Sequence, residues 1–425
     1  VIDSRQQELM RTLWLQGPLS RWELHEQTKL SPNGVGTLVD AMLRAGLISE
    51  CAPEPKHTRL GRPRVPLEID PLKRHVLGLA IVPGRAEIVR LGLTGAVHDR
   101  VHSRDVSNPS TLVKAAAALL KSSIDEQTLA VGVTVTGFID PVKKNILFSS
   151  ALPGRPVESL APVFAAAGDR PAVLGNDMHA LAGRWLLTHR AEQRQDVLLV
   201  WFADGRLGSA LLIDGRPNRG CTTGGNELGH TRFFVETAPC FCGQTGCLER
   251  IVSSDFLLRR DRANPRPSDR SNHNGAPTRA GHPPEELETP VTTDRSISRS
   301  GASMHSPLAM RVARFDPSAS DRSLDDMLTY LSCSLANAAN FIRPHRLVLV
   351  SPFARNPAFA AALAGRTQSQ ILPDLTDHVR IDFWDQSSAG SAENAAWLAL
   401  AELLYGGWDA AGTKQFLSRS TSSGQ

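Results

Sequence analysis

Long apolar runs are missing from this sequence. Nowhere do eighteen hydrophobic residues follow one another, so no membrane-spanning helix is predicted. The first residues also lack a basic stretch followed by an apolar core and a small-residue cleavage site, which makes the cytoplasm the expected compartment. Cysteine is scarce, with six in 425 residues, too few for a disulfide scaffold. Three of the six crowd into Cys240, Cys242 and Cys247, a grouping that points to metal. Charge of one sign is scarce as well: 47 basic against 43 acidic residues leave a net charge of +4, so a nucleic-acid partner requires local clustering. What is present, 41% hydrophobic and 21% charged residues, is ordinary globular usage. The length calls for two or three domains of roughly 100–200 residues each.

The first 70 residues carry helix punctuation. Leu9, Met10, Leu13 and Trp14 predict a helix over Arg5–Gln16 that Gly17-Pro18 stops. Ser20 is placed to cap a second helix through Thr28, with Glu23 as its reciprocal partner, and Ser31-Pro32 opens a third. Leu38, Met42 and Leu43 are expected to line one face of that helix until Ala45-Gly46 closes it. Two short strands, Leu47-Ile48 and Val65–Ile69, complete a winged helix-turn-helix over residues 1–70. Such a module lays its second helix in the major groove, N-terminal residues against base edges. Lys29, Ser31, Asn33 and Thr37 are therefore the DNA-contacting candidates, Asn suiting adenine and Thr a thymine methyl. The wing candidates are Lys56, His57, Arg59, Arg62 and Arg64, an acid-free group suited to phosphates or a minor groove. Gly34 and Gly36 weaken the third helix by about 1 kcal/mol each relative to alanine. The competing reading of the module is a dimerisation unit with a basic, solvated hairpin.

From residue 75 a layered α/β pattern begins, with strands expected at Val76–Val82, Glu87–Leu93, Ala130–Thr136 and Val197–Trp201 and a helix at Leu112–Ser122. It occupies residues 75–260. Residues 261–323 turn to Arg, Ser, Pro, Asn, Gly and His with few apolar anchors, and read as a disordered insertion. The α/β domain resumes over 324–408 with helices at Leu324–Phe341, Pro357–Gln370 and Ala392–Tyr405 around a strand at Arg346–Val350. Residues 409–425 read as a tail.

His230, Cys240, Cys242 and Cys247 supply one imidazole and three thiols, the donor set of a closed, tetrahedral structural zinc site. Gly243 and Gly246 permit the turn that lets Cys242 and Cys247 converge. The alternative is a set of buried free thiols or a redox pair.

The run Gly225-Asn226-Glu227-Leu228-Gly229-His230, followed by Cys240-x-Cys242-Gly243-x-x-Gly246-Cys247-Leu248-Glu249, resembles the signature of the ROK family of sugar kinases and sugar-responsive repressors. The resemblance covers residues 76–258 and 324–407, and the preceding winged helix resembles the repressor branch. It implies a ribonuclease-H-like, actin-like two-lobed domain of the sugar-kinase type. It implies operator DNA and a small sugar or sugar phosphate as partners, and a homodimer or homotetramer. By the same resemblance Asn176, Asp177, Glu227, His230 and Glu249 contact the sugar, His230 serving zinc as well. Asp177 matches the general base of the family's kinases.

The phosphate loops depart from that pattern. Where kinases carry Asp-x-Gly-Gly-Thr, this chain has Val82-Pro83-Gly84-Arg85, and proline removes an amide donor. The glycine-rich second loop reads Asp204-Gly205-Arg206-Leu207-Gly208-Ser209-Ala210, with a carboxylate that repels phosphate. The late double glycine is replaced by Ser351-Pro352-Phe353, and Ser149-Ser150-Ala151-Leu152 stands where the family often has Asn-Leu. The expectation is a sugar-responsive regulator that is not an enzyme. The rivals are an active sugar kinase with an added regulatory domain and a regulator whose sensor binds a protein.

Overall fold

The computed structural model describes residues 2–52, 64–103, 106, 109–149, 157–192, 194–218, 226–263, 305–386 and 390–406. Its first module follows the capping signals. Helix α1 (Ser4–Gln16) starts on an Asp3–Gln6 capping box and ends at Gly17, whose φ of 85° suits a residue without Cβ. Strand β1 (Leu19–Ser20) leads into α2 (Arg21–Thr28), where Ser20 and Glu23 cap one another; hydrogen bonds from Ser20 hold the Glu23 carboxyl below its usual range. Helix α3 (Pro32–Arg44) begins on Ser31, whose hydroxyl accepts the Gly34 N–H. Strands β2 (Ile48–Glu50) and β3 (Pro66–Ile69) form an antiparallel sheet with β1 in the order β1-β3-β2. This is the layout expected of a winged helix-turn-helix. Lys56, His57, Arg59 and Arg62, assigned to the wing, lie outside the described residues. One sequence expectation is corrected: the buried stripe of α3 is Val35, Val39 and Met42, whereas Leu38 and Leu43 are half-buried. The stripe follows i, i+4, i+7, which the larger leucines disguised.

The next elements build a five-stranded sheet: β4 (His75–Val82), β5 (Arg85–Gly92), β6 (Val97–His102), then α4 (Pro109–Ser123) and β7 (Thr128–Val135). A small antiparallel sheet follows from β8 (Phe138–Asp140), β9 (Asn145–Phe148) and β10 (Glu158–Ser159), before α5 (Ala161–Ala167), β11 (Ala172–Asn176) and α6 (Asp177–Thr188). The large sheet runs β11-β7-β4-β5-β6, parallel between β11, β7 and β4 and antiparallel beyond.

The chain then forms β12 (Val197–Ala203), β13 (Arg206–Ile213) and β14 (Arg216–Asn218), followed by α7 (Leu248–Ile251), α8 (Ser254–Ala263), α9 (Pro307–Ala313) and α10 (Arg322–Ile342). Strand β15 (Arg346–Val350), α11 (Pro357–Gln368), α12 (Pro373–Thr376) and β16 (Arg380–Phe383) follow, and α13 (Ser391–Tyr405) closes the described chain. This sheet has the order β14-β13-β12-β15-β16. Helix α9 falls within the stretch expected to be disordered. Ser306 caps it, and Leu308, Ala309 and Val312 bury its inner face. The expected insertion is thus shortened at both ends, and residues 264–304 and the tail lie outside the described residues.

Contacts divide the chain into two compact units, residues 1–196, 210–226 and 388–425 against 197–209 and 227–387. In the first, strand alternation sorts the sheet residues. Leu77, Leu79, Ile81, Val131 and Val133 join the core under α4 and α5. Gly78 and Gly132 meet α13 on the other face, where an added Cβ at Gly132 lies 1.8 Å from the Ala395 carbonyl oxygen. Only glycine allows that approach of helix to strand.

Candidate metal centre and sugar site

The metal candidates converge in the second unit. Ligand atoms of His230, Cys240, Cys242 and Cys247 all lie within 4.8 Å of one another. The Cys242 and Cys247 sulfurs are 3.6 Å apart, and the Cys240 sulfur is 3.7 Å from His230 Nδ1. Two thiolates at the usual Zn–S distance of about 2.3 Å in a tetrahedron stand about 3.8 Å apart, so the donor set fits a four-coordinate ion. Local backbone geometry sets this up. The Cys240 N–H donates to Gln244 O (2.7 Å) and the Gly243 N–H to Cys240 O (3.0 Å), while Gly243 and Gly246 take φ of 84° and 85°. A Cβ at Gly246 meets the Phe233 carbonyl oxygen at 2.8 Å, so the turn also requires a bare Cα.

Burial dominates the electrostatics of the cluster. Burial, with neighbouring thiol and carboxylate groups, pushes the Cys240 thiol up to about 12, and burial raises Cys247. Burial lowers the His230 imidazole. A divalent ion reverses the thiol preference outright, because bound thiols ionise.

The acidic candidates adjoin this cluster. His230 Nδ1 faces Cys240, while Nε2 lies 3.9 Å from a Glu227 carboxylate oxygen, so one ring addresses two partners. Glu249 is buried, accepts the Leu207 N–H at 3.2 Å and sits 4.0 Å from His230 Nδ1. Burial foremost, with the nearby Glu227 charge, pushes its carboxyl up to about 7. Gly229 makes the Glu-Leu-Gly-His turn possible, since a Cβ there meets Leu207 O at 2.5 Å. Sequence reasoning missed Glu236, which is buried, accepts the Ala238 N–H at 2.6 Å and pairs with Arg259, thereby anchoring the loop before Cys240. Its partner is on α8, so no short-range spacing signals it.

Asn176 and Asp177 lie in the first unit, at the end of β11 and the start of α6. Asn176 caps α6 by accepting the His179 N–H at 2.8 Å, and Asp177 accepts the Met178 N–H at 3.1 Å. The capping role of Asn176 is therefore real and leaves the neighbouring carboxylate at the helix N-terminus, half-buried.

The phosphate-loop positions hold other structures. Val82-Pro83-Gly84-Arg85 is the tight turn of the β4–β5 hairpin, with Val82 opposite Arg85, and Arg85 forms an ion pair with Glu87 along β5. Asp204 accepts the N–H and hydroxyl of Ser254 at the start of α8. The hydroxyl of Ser351 accepts the Phe353 N–H at 3.2 Å in a single 3-10 turn. Ser149 donates to Thr136 O at 2.7 Å, and residues 150–152 lie outside the described set.

Of the DNA candidates, Lys29 ends α2 in the left-handed conformation, φ 56°, rather than opening α3. Ser31 is the α3 cap, Asn33 and Thr37 are exposed on its first turns, and Arg64 lies over the Trp22 ring at 5.7 Å. Arg62 lies outside the described residues.

The ROK family matches residues 86–402, about three quarters of the sequence. The chain belongs to the ROK family. Among curated relatives, this ROK chain is 30% identical over 289 residues to a transcriptional regulator of Mycobacterium tuberculosis, covering 65% of the chain and 64% of that relative's length. It is 23% identical over 415 residues to the DNA-binding transcriptional repressor Mlc of Escherichia coli, covering 92% of this chain and 91% of Mlc. Among solved structures it resembles a ROK family transcriptional regulator described as a homolog of the Escherichia coli protein, with a TM-score of 0.68 and 19% identity over 94% of this chain and 96% of that one. It also resembles the ROK hexokinase of Thermus thermophilus, with a TM-score of 0.56 and 20% identity over 77% and 99%. The fold is thus that shared by ROK regulators and ROK sugar kinases. Among the described residues no helix is long and apolar enough to cross a membrane.

Proposed function

We propose that this chain is a sugar-responsive transcriptional regulator that represses genes of carbohydrate uptake or use and no longer phosphorylates its ligand. The alignment with Mlc carries the reading: at 92% of the chain it takes in most of the sequence, the sensor together with residues outside it. The exposed start of α3 supports DNA contact by Asn33 and Thr37, with Lys29, Ser31, Arg62 and Arg64 on the flanking backbone. Paired half-sites call for at least a dimer.

Asn176, Asp177, Glu227, His230 and Glu249 are the proposed sugar ligands. A polyol needs several paired donors and acceptors, because each buried hydroxyl without a partner is costly. His230, Cys240, Cys242 and Cys247 would hold zinc, which supplies a fixed cross-link that orients the Glu227–His230 turn. Loss of phosphoryl transfer follows from the three refilled loops, since that chemistry depends on amides and glycine turns that position phosphates. Here a hairpin turn, the cap of α8 and a 3-10 turn occupy those places.

Isothermal titration with glucose, N-acetylglucosamine and xylose, together with an ATP-consumption assay, tests the reading. Binding of one sugar without turnover is expected. Turnover of ATP abolished by Asp177→Asn would make the chain a kinase instead.

A further inference from the structure

We propose that α1 is the element through which sugar occupancy is transmitted to the DNA-binding module, with Trp14 as its positioning residue and α6 as the connecting strut. This rests on the sugar reading above and concerns its regulation. Helix α1 has two working faces. Leu9, Met10 and Leu13 are buried. Gln7, Arg11 and Trp14, spaced i, i+4, i+7, turn to the α/β domain instead.

The hydrogen bonds on that second face share one chemistry. A helix leaves its last carbonyls without intrahelical donors. Trp14 supplies one to α6, its indole Nε1–H donating to Leu187 O at 3.1 Å. Gln7 supplies one to α13, its side-chain amide donating to Leu403 O at 2.9 Å and also to Glu402 O at 3.1 Å, which already accepts the Gly406 N–H. Arg11 lies over the Tyr405 ring at 5.7 Å, Arg190 over the Trp14 ring at 4.7 Å, and Trp397 meets Trp14 edge-on at 6.2 Å. One helix of the DNA-binding module therefore caps the ends of two helices of the sensor.

Helix α6 makes this contact informative. Its first residue is Asp177 and its last turn holds Leu187, so the proposed sugar carboxylate and the Trp14 acceptor sit at opposite ends of one rod of about 15–18 Å. Nine of its twelve residues are buried, and Arg184 bonds it to Glu393 (2.9 Å) and Asn394 (3.3 Å) of α13. Such a rod tilts as a body. A hydrogen bond tolerates only a few tenths of an ångström of stretch, so a tilt at Asp177 is felt at the Trp14 indole. A second strap stays apart from α6: Arg74 donates to Ala45 O (2.8 Å) after α3 and to Glu126 O (2.6 Å) before β7. The module thus has a pivot at Arg74 and a displaceable cap at Trp14.

Hydrogen exchange on the full chain, with and without saturating sugar, tests this. Calorimetry first identifies which of glucose, N-acetylglucosamine and xylose binds. In the native chain, sugar is expected to change exchange of the α1 amides by about fivefold or more, in either direction. Trp14→Phe, which keeps an aromatic ring and loses the N–H, is expected still to bind the sugar, with affinity changed by no more than about the coupling factor, and to lose that response. Should Trp14→Phe not fold, Gln7→Met removes the companion cap and is expected to diminish the response likewise. Sugar binding with α1 exchange unaltered, or a variant with the full response, overturns the coupling alone. Failure of every sugar to bind overturns the sugar reading and the coupling with it.

Discussion

The indole N–H of Trp14 reaches the carbonyl oxygen of Leu187 at 3.1 Å, across 173 positions of sequence. Trp14 is only 3% exposed, so its ring is also a packing element. Trp14→Ala is expected to cost about 3–5 kcal/mol, as for other buried aromatic truncations, while Trp14→Phe loses mainly a hydrogen bond of about 1 kcal/mol. Urea unfolding followed by far-UV circular dichroism gives the order: native, then Trp14→Phe, then Trp14→Ala. Equal midpoints for the two variants would show that the cap, not packing, sets the contribution, and would contradict this order.

The cluster geometry leads to a prediction about zinc. Purified chain is expected to carry a single zinc by elemental analysis, and Cys242→Ser or His230→Gln to lose it. Chelation is expected to lower the melting temperature, because the ion cross-links a loop whose ends are His230 and Cys247. A native chain without zinc that melts identically before and after chelation contradicts the site.

His75 makes stability depend on pH. It is 1% exposed, its Nε2 lies 3.0 Å from Thr128 Oγ1 and 3.2 Å from Asp125 Oδ1, and burial pushes it down from 6.5 to about 4 despite the opposing Asp125 charge. It is therefore neutral in the folded chain, and the Asp125 contact is a hydrogen bond rather than an ion pair. A lowered folded value means the unfolded chain takes up the proton first. The stabilisation is full above pH 6.5 and is lost as pH falls from there to about 4. The loss is worth about 1.4 kcal/mol per unit of separation. His75→Gln is expected to flatten the difference between urea midpoints at pH 7.5 and pH 4.5. Parallel profiles for the two chains count against it.

Asn176 and Asp177 are separable. Asn176→Ala removes an α6 cap and is expected to cost about 1 kcal/mol of stability. Asp177→Asn keeps the cap and is expected to abolish sugar binding with little change in melting. Retained affinity in Asp177→Asn removes that carboxylate from the ligand set.

Much of this was legible where the signal is local. Ser20 with Glu23, and Ser31 with Pro32, announce two helix starts in a few residues, and the Cys240–Cys247 run announces a tight turn of ligands. The buried face of α3 was misassigned because leucine size outweighed periodicity at Leu38 and Leu43. Helix α9 was hidden because it is a seven-residue segment at the end of a long polar stretch and part of its support comes from elsewhere, as in the Arg311–Asp261 pair. Glu236 with Arg259 and Trp14 with Leu187 depend on partners brought together only by folding, so no spacing in the sequence encodes them.

The most direct test is fluorescence anisotropy at fixed salt, with DNA from upstream of the chain's own gene, titrated with and without the sugar found by calorimetry. The account predicts a specific complex whose affinity shifts by about fivefold or more when sugar is present. Binding no tighter than to unrelated DNA, or specific binding indifferent to every sugar, contradicts it.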